Sequence, residues 1–274
     1  MMRNFWRRFL SHRLGTISLL IVLALALAAL TANLIFASDP KQISDDVMLA
    51  PSFAHPLGTD DLGRDVLTNI IYGIRVSLTV GLLAALGASF LGSVLGALAG
   101  YYGGALDLCV MRISEIFQVI PTFILAAVIV ALSGPGLPQI IIVIVILSWP
   151  QTARLMRSEV LRIRGLEYVD AVRCLGISEH RILLAEVVPN AIAPALAVCT
   201  LIVGQAILLE ASLSFFGLSS PDIVSWGQML NSGQRFLFNA WWLSFFPGLA
   251  IFVTVLAFNL IGDAVGFALN PRAE

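Results

Sequence analysis

The side chains able to do chemistry are few in this chain, and they are scattered. Its single lysine, Lys41, follows Pro40. A phosphate-cradling loop needs Gly-Lys-Ser/Thr, so the chain cannot hold ATP in that way. The three histidines, His12, His55 and His180, lie in separate segments. No nucleophile–base or metal constellation forms around them, which disfavours a membrane enzyme. Cys109, Cys174 and Cys199 are isolated, so neither a disulfide framework nor a thiol metal site is expected. His55, Asp60, Asp61 and Asp65 share the stretch HPLGTDDLGRDV (His55–Val66). They have metal-ligand chemistry, yet a turn-rich loop using Gly58 and Gly63 and capping aspartates accounts for them. No metal is expected.

Polar residues inside apolar runs are the other candidates. A polar group in a membrane span is by default suspected of function. Gln205, Glu210 and Asn259 are the candidate residues of a translocation path, with Asp263 also in view. Each can instead pair with a partner chain or cap a helix.

The longest polar, charge-rich stretch between apolar runs is Arg154–Pro189, which carries six arginines. Gly165 breaks the helix entering it. From Glu167 to Leu175 a short helix fits, with Tyr168, Ala171, Val172 and Leu175 at i, i+3, i+4 and i+7 as one apolar stripe. Gly176 stands where a left-handed cap belongs, with Ile177 packing back on Val172. Ser178 is placed to cap a third helix that returns to Pro189. So short a helix is unstable alone in water and needs something to dock into. A helix lying on lipid would favour basic flanks, and Glu167 and Asp170 argue against that.

The elements that hold these residues follow from composition. The chain has 274 residues, 58% of them hydrophobic and 12% charged. A soluble domain carries about twice that charge, so an all-α integral membrane protein with several spans is indicated. The net charge of −1 offers no basic field for nucleic acid. Six spans are expected: Leu14–Ala37, Val76–Gly100, Leu106–Leu132 kinked at Pro121, Gln139–Ala153, Asn190–Phe216 with Pro194 near its start, and Trp241–Leu269. A short surface helix at Asp65–Tyr72 precedes the second. Ala84, Ala88, Gly92, Gly96 and Gly100 recur every four residues, a row that lets a neighbouring helix approach closely. Asp107, Arg112 and Glu115 are expected to pair with one another. Trp149, Trp226, Trp241 and Trp242 fall near span ends, where amphipathic rings prefer to sit. With both termini in the cytoplasm, twelve of the sixteen cationic residues lie inside and four (Lys41, Arg64, Arg75, Arg235) outside. That bias fixes the orientation. The chain divides into 1–75, an N-terminal tail, first span and outer loop, and 76–270, a five-helix core containing the 154–189 loop.

Asp170-Ala171-Val172, three residues, Gly176, and Pro189 thirteen further on resemble the EAA motif of binding-protein-dependent ABC importer permeases. Asp170 replaces Glu, Val172 replaces Ala, Glu186 replaces Ile and Val188 replaces Leu. HPLGTDDLGRDV, IYGIRVSL (Ile71–Leu78), EASLSFFGL (Glu210–Leu218) and FNLIGDAVGFALNPR (Phe258–Arg272) look like the "C" type subunit of the dipeptide/oligopeptide/nickel permeases. Together they cover nearly the whole chain. The resemblance implies a type I importer permease fold in a bacterial inner membrane. It implies a non-catalytic subunit working with a second, homologous permease, two ATPases that bind ATP and Mg, and an extracytoplasmic solute-binding protein. In that family the short helix seats in a groove of the ATPase. Glu167, Tyr168, Asp170, Ala171, Val172, Leu175, Gly176 and Pro189 would thus form the coupling surface. Peptides are the implied solute class, with nickel chelates, glutathione or opines on the same machine as alternatives. An ATP-independent channel or transporter is the competing class. It would carry repeated ionisable groups at mid-span, and the sequence has few.

Overall fold

The computed structural model describes residues 2–35, 40, 42–220 and 222–269. Lys41 and the tail with Arg272, both used in the charge reading, lie outside the described residues. Within them the structure is helical, with no named strand.

The N-terminal basic segment forms a separate helix, α1 (Met2–Ser11), before the first long apolar helix, α2 (Arg13–Ile35). At 1.5 Å per residue α2 is about 35 Å long, enough for a hydrocarbon core. α3 (Val66–Tyr102) is one continuous helix of 37 residues. The expected short surface helix and second span are therefore a single rod, and residue 75 falls within it. Nothing in Asp65–Val76 stops a helix, and Asp65 starts one: its carboxylate accepts from the Thr68 N–H at 2.8 Å.

α4 (Gly104–Val119) and α5 (Thr122–Ser133) follow. They meet at 92° across Ile120–Pro121. Pro121 does more than kink the third span; it ends one helix and starts another in a new direction. α6 (Leu137–Arg164) carries Pro150 in its interior and ends at Gly165 as expected. α7 (Glu167–Cys174) and the single turn α8 (Glu179–Ile182) make up the polar segment. A wide π turn, Leu183–Val187, leads directly into α9 (Val188–Phe215). The return helix thus does not stop at Pro189. Proline near the start of α9 has no N–H to offer the preceding turn, and the i→i+5 bond from Val188 N–H to the Leu183 carbonyl replaces the usual ladder there.

The stretch 217–240, expected as a loop, is not only loop. It contains α10 (Trp226–Gly233), capped by Ser225, whose hydroxyl accepts from the Gln228 N–H. α11 (Trp242–Leu269) is the last long helix. Among the described residues, five helices are long and apolar enough to cross a membrane, six if the α4–α5 pair counts as one span.

The small-residue row of α3 finds its neighbour in α6. A Cβ on Gly96 would lie 2.2 Å from the Ala153 carbonyl oxygen, and one on Gly92 2.6 Å from that of Trp149. The backbones touch, which only residues without side-chain bulk permit. Three of the four tryptophans assigned to span ends are instead packed inside. Trp226 is fully buried, Trp149 and Trp242 nearly so, and Trp241 alone is exposed. Trp226 donates its indole N–H to the Ile70 carbonyl at 3.0 Å and fills the junction of α3, α9 and α10.

Candidate coupling surface and membrane recess

α7 sits at the end of the bundle where α3 finishes, opposite α10. One side chain anchors it. Val169 is 0% exposed and packs with Met156, Ile163, Ile182 and Leu183. Val172 and Ile177 lean half-buried on the same cluster. The expected four-residue stripe therefore splits. Val172 turns inward beside Val169, while Tyr168, Ala171 and Leu175 remain outside, Leu175 at 78% exposure. Glu167 and Asp170 are also exposed. Gly176 adopts φ +78°, the left-handed cap expected of it, and its N–H bonds the Arg173 carbonyl at 3.0 Å. Ser178 occupies the cap position of α8, but its side chain makes no capping bond. Pro189 is exposed at the start of α9.

The departure at Glu186 has a structural setting. It lies in the π turn, half-buried, and its backbone carbonyl accepts from the Asn190 amide at 2.6 Å and the Tyr168 hydroxyl at 3.3 Å. Tyr168 thus ties α7 to the start of α9.

A second tie runs through charge. Arg173 donates to Asp170 at 2.6 Å and to Glu179 at 2.8 Å. Glu179 also accepts from the Tyr101 hydroxyl at the end of α3. The bond to Glu179 holds the Arg173 guanidinium above its ordinary pKa. Nearby, Asp107 forms a two-bond pair with Arg157 at 2.5 and 2.6 Å, and Arg112 pairs with Glu115 at 2.9 Å. The expected Asp107–Arg112 pair is replaced because α6 brings Arg157 alongside α4.

The α4–α5 bend opens a recess of about 740 Å³ against α6 and α9. Gln118 and Thr122 flank it at the bend, Ser148, Gln151 and Arg154 line it from α6, and Gln205 and Ser212 from α9. Spacings of three on α6 and seven on α9 put these residues on one face of each helix. Of the candidate path residues, Gln205 alone faces this recess. Glu210 is 1% exposed and accepts from the Ser214 hydroxyl at 2.6 Å. Asn259 lies half-buried at the α9–α11 contact, near Gly204. Asp263 is exposed on α11. Ser148, Gln151 and Arg154 were missed as a set, although their period of three was visible. His55 and its neighbours serve the loop: His55 bonds Asp65 at 3.0 Å, and Asp60 accepts from Arg64 at 2.6 Å. No metal-holding group occurs among the described residues.

Two family descriptions match the chain. "N-terminal TM domain of oligopeptide transport permease C" covers residues 1–56. "Binding-protein-dependent transport system inner membrane component" covers residues 92–274. The chain belongs to this family. As a whole it is 38% identical to the glutathione transport system permease protein GsiD of Pectobacterium atrosepticum, over 99% of this chain and 91% of that protein. It is equally similar, at 38%, to the dipeptide transport system permease protein DppC of Alkalihalophilus pseudofirmus, over 99% and 90% of the two chains. A chain of the inward-facing MetNI methionine ABC transporter superposes with TM-score 0.62 at 19% identity, over 74% of this chain and 96% of that one. The architecture is therefore the type I ABC importer permease fold, and the chain is a multi-pass, non-catalytic permease component.

Proposed function

We propose that this permease carries di- or oligopeptides inward as part of an ATP-driven, binding-protein-dependent importer. The peptide assignment rests on relatives of peptide and glutathione systems at 38% identity; glutathione is itself a peptide. The mechanical part rests chiefly on α7, a helix too short to stand alone, anchored inward by Val169 with its other face free. Tyr168, Ala171 and Leu175, bordered by Glu167 and Asp170, would seat in a partner ATPase. Val172, Gly176 and Pro189 would hold the geometry of that face.

Two ATPases, binding ATP and Mg, would move this helix and that of a second permease together. The termini and α7 would lie in the cytoplasm, and the loop 42–65 with α10 would meet the solute-binding protein outside. The N-terminal tail, α2 and the loop 42–65 would add an outer helix and loop to a core that begins with α3, so the division drawn at 75/76 would move to the start of that helix. The recess beside Gln205 would form part of the path, while Glu210 and Asn259 would shape the helix contacts beside it.

Purifying the chain from its native membrane tests the assembly. Two ATPases and a second permease should co-purify, and reconstituted vesicles with binding protein should take up peptide only with ATP. Uptake by this chain without an ATPase would overturn the reading.

A further inference from the structure

We propose that Arg154 is the counter-charge for a carboxylate of the transported solute, with the amides of Gln151 and Gln205 as further donors. This rests on the recess being part of the path.

The four arginines of α6 are treated differently by the fold. Arg157 is paired with Asp107. Arg162 is paired with Glu159 at 2.7 Å. Arg164 donates to the carbonyls of Gly100 and Tyr101 at 2.9 and 2.6 Å. Arg154 makes no ion pair or side-chain hydrogen bond among the described residues, and it lines the recess. No carboxylate lines that recess. An arginine keeps its proton at any working pH, so the recess carries a fixed positive charge.

The surroundings suit a planar anion. Guanidinium offers paired N–H donors that match a carboxylate. Gln151 precedes Arg154 by nearly one turn on the same face, and Gln205 lines the recess from α9. Leu147, Leu208 and Leu209 supply apolar walls for the rest of a small solute. A peptide always ends in such a group, whatever its side chains. One cation can therefore serve many sequences, as a permease supplied by a separate binding protein requires.

The experiment uses the complete transporter in proteoliposomes, with Cys109, Cys174 and Cys199 replaced by alanine and Gln205→Cys as reporter. An anionic sulfonatoethyl and a cationic trimethylammonioethyl methanethiosulfonate are compared. The ratio of anionic to cationic labelling rates should fall by about tenfold in Arg154→Gln, the scale expected for one charge at several ångströms in a partly wet site. Arg154→Lys should keep most of the preference. An unchanged ratio in Arg154→Gln overturns the proposal, because it means an acid from a partner chain already neutralises the guanidinium.

In the native cysteine-replaced transporter, Arg154→Gln should lower uptake of dialanine about tenfold and leave dialaninamide unaffected. Equal losses for both overturn the carboxylate assignment. If the unsubstituted transporter carries neither probe with ATP, the peptide reading fails on its own, and the labelling ratio still decides whether the recess favours anions.

Discussion

The Tyr101 hydroxyl donates to the Glu179 carboxylate across 78 residues of sequence. It joins the end of α3 to the turn that follows α7, and Arg173 carries the link on to Asp170 within α7. A displacement of α7 would thus reach α3 through a charged bridge as well as through the apolar cluster that Val169 shares with Ala97 and Tyr101. Tyr101→Phe removes the bridge and little bulk. It should leave expression and thermal stability nearly unchanged while lowering peptide uptake per ATP hydrolysed, measured in proteoliposomes. An unchanged coupling ratio would show that the apolar anchor suffices.

Val169 and Ala171 sit two residues apart on opposite sides of α7, which separates folding from docking. Val169→Ala should cost about 1–2 kcal/mol through the cavity it leaves, seen as a lower melting temperature of the detergent-solubilised transporter. Ala171→Asp should leave melting unchanged and abolish solute-stimulated ATP hydrolysis by charging the free face. Normal hydrolysis in Ala171→Asp would place the ATPase contact elsewhere.

Gly176 tests the cap. A Cβ there meets nothing within 4 Å, so the cost of Gly176→Ala is the left-handed backbone alone, about 1–2 kcal/mol. Gly176→Asn should cost less, since asparagine tolerates that conformation. Gly176→Pro cannot adopt φ +78° and loses the N–H that bonds Arg173. Solute-stimulated hydrolysis should therefore decline in the order Gly, Asn, Ala, Pro. Equal activity of all four would mean that the cap does not set the docking geometry.

The α3–α6 seam predicts an opposite pattern. Gly96→Val must push α3 away from the Ala153 backbone, and overpacking of this kind costs about 1–3 kcal/mol or more. Aggregation or loss of the monodisperse peak in size-exclusion chromatography should follow. Gly248→Val, on α11, is the control: a Cβ there meets nothing within 4 Å and the backbone is helical, so the peak should be unchanged.

Much of this architecture was legible in the chain. Apolar run length places the spans, because lipid leaves the backbone few alternatives to helix. The row from Ala84 to Gly100 announces a close helix contact, though not that α6 makes it. Pro121 marks a break, but one residue cannot say whether the chain bends by 20° or by 92°. The inward role of Val169 escaped because a short helix with apolar residues on two sides does not declare which side faces the core. α10 hid in a stretch rich in turn residues; Ser225 ahead of Trp226 was its only starting signal. The recess was illegible for another reason. Its polar groups come from three regions of sequence, and each region contributes only two or three.

α3 has a consequence of leverage. Its 37 residues make a rod about 55 Å long, locked along one side to α6 by backbone contact. A tilt of about 10° at one end sweeps the other through about 10 Å on that length. Movements too small to disturb side-chain packing near Tyr101 would thus become large displacements near Trp226. A stiff rod with a long throw would need only a short stroke from a partner that drove it.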